Sequence, residues 1–466
     1  MRNLYALTCT LVLLATPAGA APTAIEHVTI IDPATGKRQP DMTVVLDEAK
    51  ILRVTKGREG KLPPETRHVN GAGKYLIPGL WDMHVHLFNN ASRPGTNDSS
   101  VYFPLLLAHG VTGVRDMWTD REDRKLIVRW RREIEGGLRN GPRVVAGSRI
   151  LDGTPVLWAN SRPVTDAHSA IAAVRDEKAA GAQFIKVYDR LSRSAFFAVA
   201  REAKRQGLPL AGHVPMSVTA IEASTAGQRS IEHLTDMPES CSGREASIRS
   251  LAEGRERAVM SATAFDPQKC RAAGRQFRRN GTAQDPTLVM HRGRLVQPFD
   301  RQKDVRLKYV PAGEQRSWAE ADQRMVRRDP IVLNGLFDTY LRIVRAMTEG
   351  GTQILAGTDL GNPHVFAGSS LHDELELLVA AGLPTQAALA SATTNPVRFL
   401  GLQESLGSIS PGKLADLVLL DGDPLSNIAN TRRISAVVSN GRYFDAHDLA
   451  AMQRDAATAA QSSNDN

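Results

Sequence analysis

Residues 76–87 read Leu-Ile-Pro-Gly-Leu-Trp-Asp-Met-His-Val-His-Leu and place two imidazoles two positions apart in an apolar strand. Side chains at i and i+2 of a strand point to the same face, so His84 and His86 reach towards one point. Neutral imidazole is the commonest metal ligand in proteins, and a converging pair suits Zn²⁺ or a similar ion. The pair therefore predicts a metal site, with two unrelated polar positions as the alternative.

From residue 77 onward, short apolar strands alternate with helical stretches. Eight strand-then-helix units fall within residues 77–400, a span typical of a barrel with insertions. The strands are predicted at residues 80–86, 110–116, 143–146, 184–187, 210–213, 230–233, 286–289 and 354–359. The predicted fold class is therefore α/β, a (β/α)8 or TIM barrel, with an open doubly wound sheet as the alternative architecture.

The barrel segment is flanked on both sides by β-rich sequence without helical stretches. Residues 21–76 and 401–449 hold short strands broken by turn residues such as those at 421–424. We expect the two stretches to form one small β-sandwich domain from the N- and C-terminal segments. Residues 450–466 are then a short helical tail.

Four further polar residues stand at the ends of other predicted strands. They are Lys186, His213, His233 and Asp359. In a β/α barrel the carboxyl ends of the strands meet at one face, and polar groups at that face are typical of an active site. Together with the histidine pair they predict a metal-binding active site. The alternative for Lys186 is an ordinary strand-end lysine that pairs with Asp189.

Two connections are too long for ordinary barrel loops. Residues 235–284 and 291–352 follow the sixth and seventh predicted strands, and loops at that end of a barrel build and cover the active site. We expect lids there, with peripheral helices as the alternative. The first of these insertions holds Cys241 and Cys270, which form a disulfide in an oxidising compartment or else stay free thiols.

Residues 1–20 have the pattern of a cleavable signal peptide, with one Arg, an apolar run and a small-residue site at 18–20. This pattern predicts a periplasmic or secreted protein without a membrane span. The 466 residues carry 58 Lys+Arg against 50 Asp+Glu, and 42% are hydrophobic. These values are close to globular averages, and no Lys/Arg-only tract is present, which argues against a nucleic-acid or membrane partner.

Taken together, these motifs resemble the amidohydrolase superfamily, in particular its imidazolonepropionase-like branch, which includes Xaa-Pro dipeptidases. The resemblance rests on residues 76–87, on Gly113-Val114-Arg115-Asp116, and on residues 408–424, which contain Pro411-Gly412-Lys413-Leu414-Ala415-Asp416. It implies two divalent metal ions, with zinc favoured, and a CO₂-derived carbamate on a lysine. The implied ligands are His84, His86 and Asp359 around one ion, His213 and His233 around the other, and carbamylated Lys186 bridging both.

The resemblance also implies a mechanism. A water shared by two cations becomes hydroxide near neutral pH and attacks the scissile carbonyl, while Asp359 passes the water proton to the leaving amine. In the family a histidine at the place of His372 faces the site, the alternative here being a surface residue at a helix start. Tyr188, on the same strand face as Lys186, would donate to substrate or to an oxyanion, or else pack as an aromatic side chain.

These features predict a binuclear metal-dependent amidohydrolase that cleaves the amide bond of a dipeptide-like or N-acyl amino acid-like small molecule. The dipeptidase-like relatives carry a Gly-Gly-His segment where this chain has residues 150–158, so one substrate contact of those relatives is missing. Two alternatives stay open: hydrolysis of a cyclic amide, lactone or organophosphate ester, and a noncatalytic exported binding protein on the same scaffold. Formation of a homo-oligomer also stays open.

Overall fold

Seventeen strands run through the described part of the computed structural model, which covers residues 21–57, 60–88, 99–252, 254–296, 301–326 and 328–462. In chain order they are β1 Thr23–Asp32, β2 Lys37–Asp47, β3 Lys50–Lys56, β4 Arg67–Asn70, β5 Tyr75–Pro78, β6 Leu80–Val85, β7 Val111–Asp116, β8 Arg143–Ala146, β9 Ile150–Asp152, β10 Arg162–Pro163, β11 Ile185–Val187, β12 Leu210–Gly212, β13 Gln228–Glu232, β14 Ala283–Asp285, β15 Leu417–Leu420, β16 Ile434–Ser439 and β17 Arg442–Asp445.

Strands from both chain ends are hydrogen-bonded into one mixed sheet. Its order is β17-β16-β15-β5-β1-β2-β3, with β4 paired to β1. The two ends join at the antiparallel pair of β5 and β15, where Leu417 lies opposite Pro78. Apolar side chains from both ends share one buried cluster, for example Ile25, Val44 and Leu419. Because β15 completes this cluster, the sheet is finished only when the last part of the chain has folded. The predicted two-layer sandwich stays a prediction.

The other strands of the described residues form two parallel sheets, β6-β7-β8 and β10-β9-β11-β12-β13-β14. Backbone hydrogen bonds connect these sheets at both edges. Beside β8, Gln183 N donates to Ala146 O at 3.0 Å. Beside β14, Leu355 N donates to Gln284 O at 2.9 Å, and Met83 N of β6 donates to Ala356 O at 2.9 Å. Residues 353–360 therefore lie between β14 and β6. The prediction of an α/β fold with parallel sheets is confirmed.

Helices follow most of the parallel strands. Aspartate side chains begin several of them: Asp120 accepts hydrogen bonds from two backbone N–H groups of α2, and Asp166 does the same once for α3. The helices are α1 Ser99–Ala108, α2 Arg121–Glu135, α3 Ala167–Ala179, α4 Arg193–Arg205, α5 Ala220–Thr225, α6 Met237–Ser240, α7 Glu245–Ser250, α8 Arg255–Thr263, α9 Pro267–Asn280, α10 Leu288–Leu295, α11 Ala312–Val326, α12 Pro330–Glu349, α13 Ser369–Ala380, α14 Thr385–Ser391, α15 Thr394–Phe399 and α16 Ala446–Ser462, with 3-10 turns at Arg301–Lys303, Val305–Tyr309 and Ile428–Arg432.

The strand predicted at residues 286–289 is wrong. The observed strand β14 ends at Asp285, and Leu288 already begins α10. Thr287 makes the turn between them with a left-handed backbone, φ 46° and ψ 48°. A short apolar run suits a buried strand and a buried helix equally, so its pattern alone does not separate the two.

The first long insertion, residues 235–284, contributes both to the lining of the cavity and to the peripheral helices, the two alternatives that the sequence leaves open. It contains α6 to α9, and Cys241 and Cys270 in it are joined by a disulfide. Side chains between residues 236 and 257 face the cavity described below, whereas α9 packs beside α12. The insertion therefore forms part of the cavity wall and is covalently tied to a peripheral helix.

The predicted signal peptide, residues 1–20, lies outside the described residues. Within the described ranges, no helix combines the length and the apolar character that crossing a bilayer requires.

Replacing Cys241 and Cys270 together by alanine is expected to lower the free energy of unfolding by about 2–4 kcal/mol. The reason is that the disulfide joins residues 29 positions apart and restricts the unfolded chain. Urea unfolding measures the difference between three samples: the oxidised wild type, the wild type reduced with dithiothreitol, and the double variant. The reduced wild type is the control and should be as stable as the variant. Equal stability of all three samples would contradict the prediction.

Candidate metal centre

One cavity of about 840 Å³ is lined by every residue that the sequence singles out as a metal ligand, namely His84, His86, Lys186, His213, His233 and Asp359. The order of the elements explains the convergence. His84 lies in β6 and Lys186 in β11, while His213 and His233 directly follow β12 and β13. Strands β11, β12 and β13 are parallel neighbours in one sheet, and residues 353–360 connect that sheet to β6 of the other. The carboxyl ends of these strands therefore bring the side chains to one place.

The Asp359 carboxylate lies among the imidazoles. Its Oδ1 atom is 3.0 Å from Nε2 of His86 and 3.4 Å from Nε2 of His84, and its Oδ2 atom is 3.8 Å from Nε2 of His233. One ion could contact donor atoms of His84, His86 and Asp359 together, since these atoms lie within 4.8 Å of one another. The His233 ring is centred 4.4 Å from that of His84 and 5.0 Å from that of His213. The four histidines therefore form one continuous group.

Hydrogen bonds at Nδ1 orient three of these imidazoles. A partner at one ring nitrogen sets the tautomer and leaves the other nitrogen to bind a metal. Nε2 is therefore the nitrogen that remains for a metal in all three rings, and in His84 and His233 it faces Asp359. The bonds join Nδ1 of His84 to Glu232 Oε2 at 3.0 Å, of His213 to Asp189 Oδ1 at 2.7 Å, and of His233 to Thr287 Oγ1 at 2.7 Å.

The remaining donor atoms fit a divalent cation. His84 Nε2 is buried without a hydrogen-bond partner, and such an atom costs about 1–3 kcal/mol if it stays unsatisfied. Burial lowers the pKa of His84 to about 3 and that of His233 well below its usual value. Both imidazoles are therefore neutral and have a lone pair to share, and imidazole nitrogen and carboxylate oxygen are ligands that Zn²⁺ prefers.

Lys186 is buried in the wall of this cavity. Burial lowers the pKa of its ammonium group to about 8, which increases the fraction of neutral amine at neutral pH. The neighbouring strand leaves room for it at Gly212, which has φ 128°. A Cβ atom there would lie 2.2 Å from Val187 O and 3.1 Å from Lys186 Cδ. A side chain at position 212 would displace the strand that carries the lysine.

A buried cluster behind His84 holds Glu232 in place. Arg115 Nη2 donates to both carboxylate oxygens of Glu232, at 3.0 and 2.9 Å. The same guanidinium donates from Nη1 to Ser230 Oγ at 2.9 Å and from Nε to Met83 O at 2.6 Å. Glu232 therefore accepts from a cation on one side and orients a ligand imidazole on the other.

The sequence predicts that Glu232 points away from the site, because neighbouring strand residues alternate faces. The alternation ends at this point: His233 has φ 58°, a left-handed backbone outside the strand geometry. His233 therefore lines the cavity, while Glu232 contacts His84 from behind. Asp189 and Thr287 were also missed, and the only local signal for them is a short polar residue just beyond β11 or β14.

Tyr188 lines the cavity beside His213, with ring centroids 4.0 Å apart. Trp158 Nε1 donates a hydrogen bond to the Tyr188 hydroxyl at 3.0 Å. Because an indole only donates, the hydroxyl keeps its own proton for another acceptor in the cavity. Burial raises the pKa of Tyr188, so this proton stays bound at neutral pH.

His372 does not line the cavity, in contrast to the prediction that it faces the site. It is buried in α13, where its Nδ1 atom lies 2.9 Å from Thr431 Oγ1 and its Nε2 atom 3.1 Å from the carbonyl oxygen of His109. Both ring nitrogens are thus engaged in contacts that join α13 to the end of α1 and to the turn at Ile428–Arg432. We correct the prediction and assign His372 a structural role.

Comparison with known families gives a match to the amidohydrolase family over residues 75–443. The chain belongs to this family. The resemblance to the amidohydrolase superfamily that the motifs indicate is thereby confirmed.

Solved structures similar to this amidohydrolase-family chain include a bottromycin amidohydrolase, with a TM-score of 0.72 and 26% identity over 94% of this chain and 90% of that one. A Xaa-Pro dipeptidase with bound methionine in its active site has a TM-score of 0.65 and 21% identity over 91% of this chain and 100% of that one. A 5-methylthioadenosine/S-adenosylhomocysteine deaminase from Teredinibacter turnerae is 31% identical over 138 residues, which is 25% of this chain and 31% of the deaminase. The chain thus spans less than a third of the length of that curated relative.

In this member of the amidohydrolase family, Glu232→Gln is expected to weaken metal binding about 10- to 100-fold, the effect typical of losing a partner of a ligand histidine. Competition with a chelator measures the affinity. The matched control is Glu177→Gln, which changes a buried glutamate that pairs with Arg124 and Arg149 outside the cavity. The control should lose stability but keep the metal affinity, and unchanged affinity in Glu232→Gln would contradict the assigned role.

Proposed function

We propose that this protein is a binuclear metal-dependent hydrolase that cleaves the amide bond of a dipeptide-like or N-acyl amino acid-like substrate. The observation that carries the proposal is the single cavity shared by four imidazoles, Asp359 and the buried Lys186. A lysine ammonium has three donors and no acceptor, so it cannot ligate a cation in that form. Its burial beside the four imidazoles supports a modified lysine and a second metal.

The proposal includes the architecture: the strands of the two parallel sheets form one closed (β/α)8 barrel. Hydrogen bonds that run from β8 to residue 183, from β14 to residues 353–355 and from residue 356 to β6 support closure of the ring. In such a barrel the ligands lie at the carboxyl ends of the strands, where active sites of this architecture are found.

In this assignment His84, His86 and Asp359 would hold one cation, and His213 and His233 would hold the other. Zinc is the cation whose preferred ligands match this set. Lys186, as a carbamate, would supply the anionic oxygen ligand that its ammonium form cannot. In that modification the neutral amine adds to the carbon of CO₂: one nitrogen–carbon bond forms, one carbon–oxygen π bond opens to leave a negatively charged oxygen, and the nitrogen releases one proton to solvent. The lowered pKa of Lys186 supports this step because only the neutral amine has the electron pair.

When bound, two such cations act as Lewis acids and lower the pKa of water to about 7. Asp359 accepts the proton of the attacking water and transfers it to the nitrogen of the leaving amine. The carbon–nitrogen bond breaks as water adds across it, which gives a carboxylate and an amine. The Tyr188 hydroxyl donates a hydrogen bond to the oxygen of the scissile carbonyl as negative charge develops there.

The cavity wall supports a substrate with an apolar part. Trp118 and Trp158 stand 5.9 Å apart, and Leu157 and Met216 extend this wall. Apolar walls with a few placed polar groups are typical of small-molecule sites. The amidohydrolase that is 26% identical supports an amide as the bond that is cleaved.

An exported location, periplasmic or secreted, completes the proposal. Residues 1–20 have the pattern of a signal peptide. The disulfide between Cys241 and Cys270 supports export because disulfides persist in oxidising compartments.

Asp359→Asn is expected to keep the fold and to lower kcat at least about a hundredfold, because an amide cannot accept the water proton. The measurement is kcat of the metal-loaded protein on a panel of dipeptides and N-acyl amino acids, with circular dichroism as the check of folding. The control Asp416→Asn changes a buried aspartate outside the cavity, which pairs with Arg143. Near-normal turnover in Asp359→Asn would refute the proton-transfer role.

Lys186→Ala is expected to reduce the metal content from about two ions per chain to about one or fewer. Elemental analysis after gel filtration measures the content. Added acetate should restore part of it, because a small carboxylate can take the place of the carbamate. The exposed Lys125→Ala is the control and should keep the full content. Two ions per chain in Lys186→Ala without acetate would contradict the bridging role.

A further inference from the structure

Among the described residues, three arginines line the cavity, and their surroundings differ. Arg249 pairs with Asp236, at 2.9 Å from Nη2, and with Glu245 at 2.8 Å. Arg257 Nη2 lies 2.7 Å from Glu239 Oε1. Both positive charges are therefore neutralised by the insertion that carries them.

Arg294 is the exception. No carboxylate of the described residues lies within ion-pair distance of its guanidinium, and its one hydrogen bond runs from Nη1 to Met290 Sδ at 3.8 Å. The side chain is exposed to solvent and lines the cavity. An unpaired positive charge in the wall of a binding cavity attracts an anion from solution.

The position of Arg294 is coupled to the metal ligands. It lies on α10, which starts beside Thr287, the residue that contacts Nδ1 of His233. His291 of the same helix lies with Nε2 3.0 Å from the carbonyl oxygen of His233. Arg294 follows His291 by three positions, and residues at that spacing share one face of a helix. The helix therefore fixes the point of the backbone from which Arg294 extends relative to His233.

Arg294 and Tyr188 line the same cavity. The charge of Arg294 therefore faces the space that also holds the group proposed to contact the scissile carbonyl, which is where a substrate would lie.

We propose that Arg294 binds the carboxylate of the substrate and so restricts the enzyme to amides that carry a free carboxylate, such as N-acyl amino acids and dipeptides. The inference rests on the proposed hydrolase function and names its substrate class. A guanidinium matches a carboxylate with two parallel hydrogen bonds, and this fit places the rest of the substrate in a defined orientation. One unpaired positive charge suits one carboxylate.

The test uses pairs of probes that differ only in this group: N-acetyl amino acids and dipeptides with apolar side chains, each against its C-terminal N-methylamide. The wild type is expected to cleave the acids with a kcat/KM at least about tenfold higher than the amides, the scale of a charge-assisted pair. Arg294→Ala should lose this preference through a higher KM for the acids, while its kcat/KM for the amides changes less than about twofold. Arg257→Ala is the matched control and should keep the preference.

Two results would overturn the role of Arg294 and leave the hydrolase proposal intact: equal cleavage of acids and amides by the wild type, or an unchanged preference in Arg294→Ala. If the metal-loaded wild type cleaves none of the probes, the hydrolase proposal fails on this panel. Calorimetric titration of the same probes then decides the anchor separately. Tighter binding of acids than of amides in the wild type and Arg257→Ala, but not in Arg294→Ala, supports it, and equal or absent binding in all three overturns it.

Discussion

The buried ion pair between Arg115 and Glu232 is the interaction on which the candidate metal centre depends. The two side chains are 1% and 0% exposed, and moving such charges out of water costs several kcal/mol per ion unless each donor and acceptor is used. Here the guanidinium of β7 also contacts Met83 of β6 and Ser230 of β13. The pair therefore joins three strands, and the same carboxylate orients His84. Strand register and ligand geometry are set by one group of contacts.

A second carboxylate shows how finely this cluster is balanced. Asp285 lies 3.3 Å from the same guanidinium. One positive charge can neutralise one carboxylate, so burial and the nearby charge of Glu232 raise the pKa of Asp285 well above its usual value. The charge of Arg115 lowers the pKa of Glu232 against the effect of burial, so the cluster favours the negative charge on Glu232 and the proton on Asp285. The ionised group is the one that contacts the ligand imidazole, which keeps negative charge where a metal ligand benefits from it.

The sequence predicts which candidate ligands meet in one cavity better than it predicts the residues that support them, and the reason is physical. Each ligand follows from a rule that applies within one strand, such as the shared face of His84 and His86. The supports depend on which strands meet, and Glu232 contacts His84 across 148 positions of the chain. For His372 the sequence predicts a place at the site, but a contact with Thr431, 59 positions away, holds the side chain in the core. The α/β class was predictable because strands and helices alternate along the sequence. The short apolar run at 286–289 was compatible with a strand or with a helix, so its secondary structure was not predictable.

The disulfide between Cys241 and Cys270 closes a loop that contributes side chains to the cavity lining, among them Arg249 and Arg257. The chain between the two cysteines starts and ends at covalently joined points, whereas the candidate metal ligands all lie outside that stretch. Changes of length or sequence inside the loop therefore leave the positions of its ends, and of the ligands, largely unaltered. Selection can reshape the surface that meets the substrate without disturbing the chemistry beneath it, so relatives with the same metal ligands can diverge in what they bind.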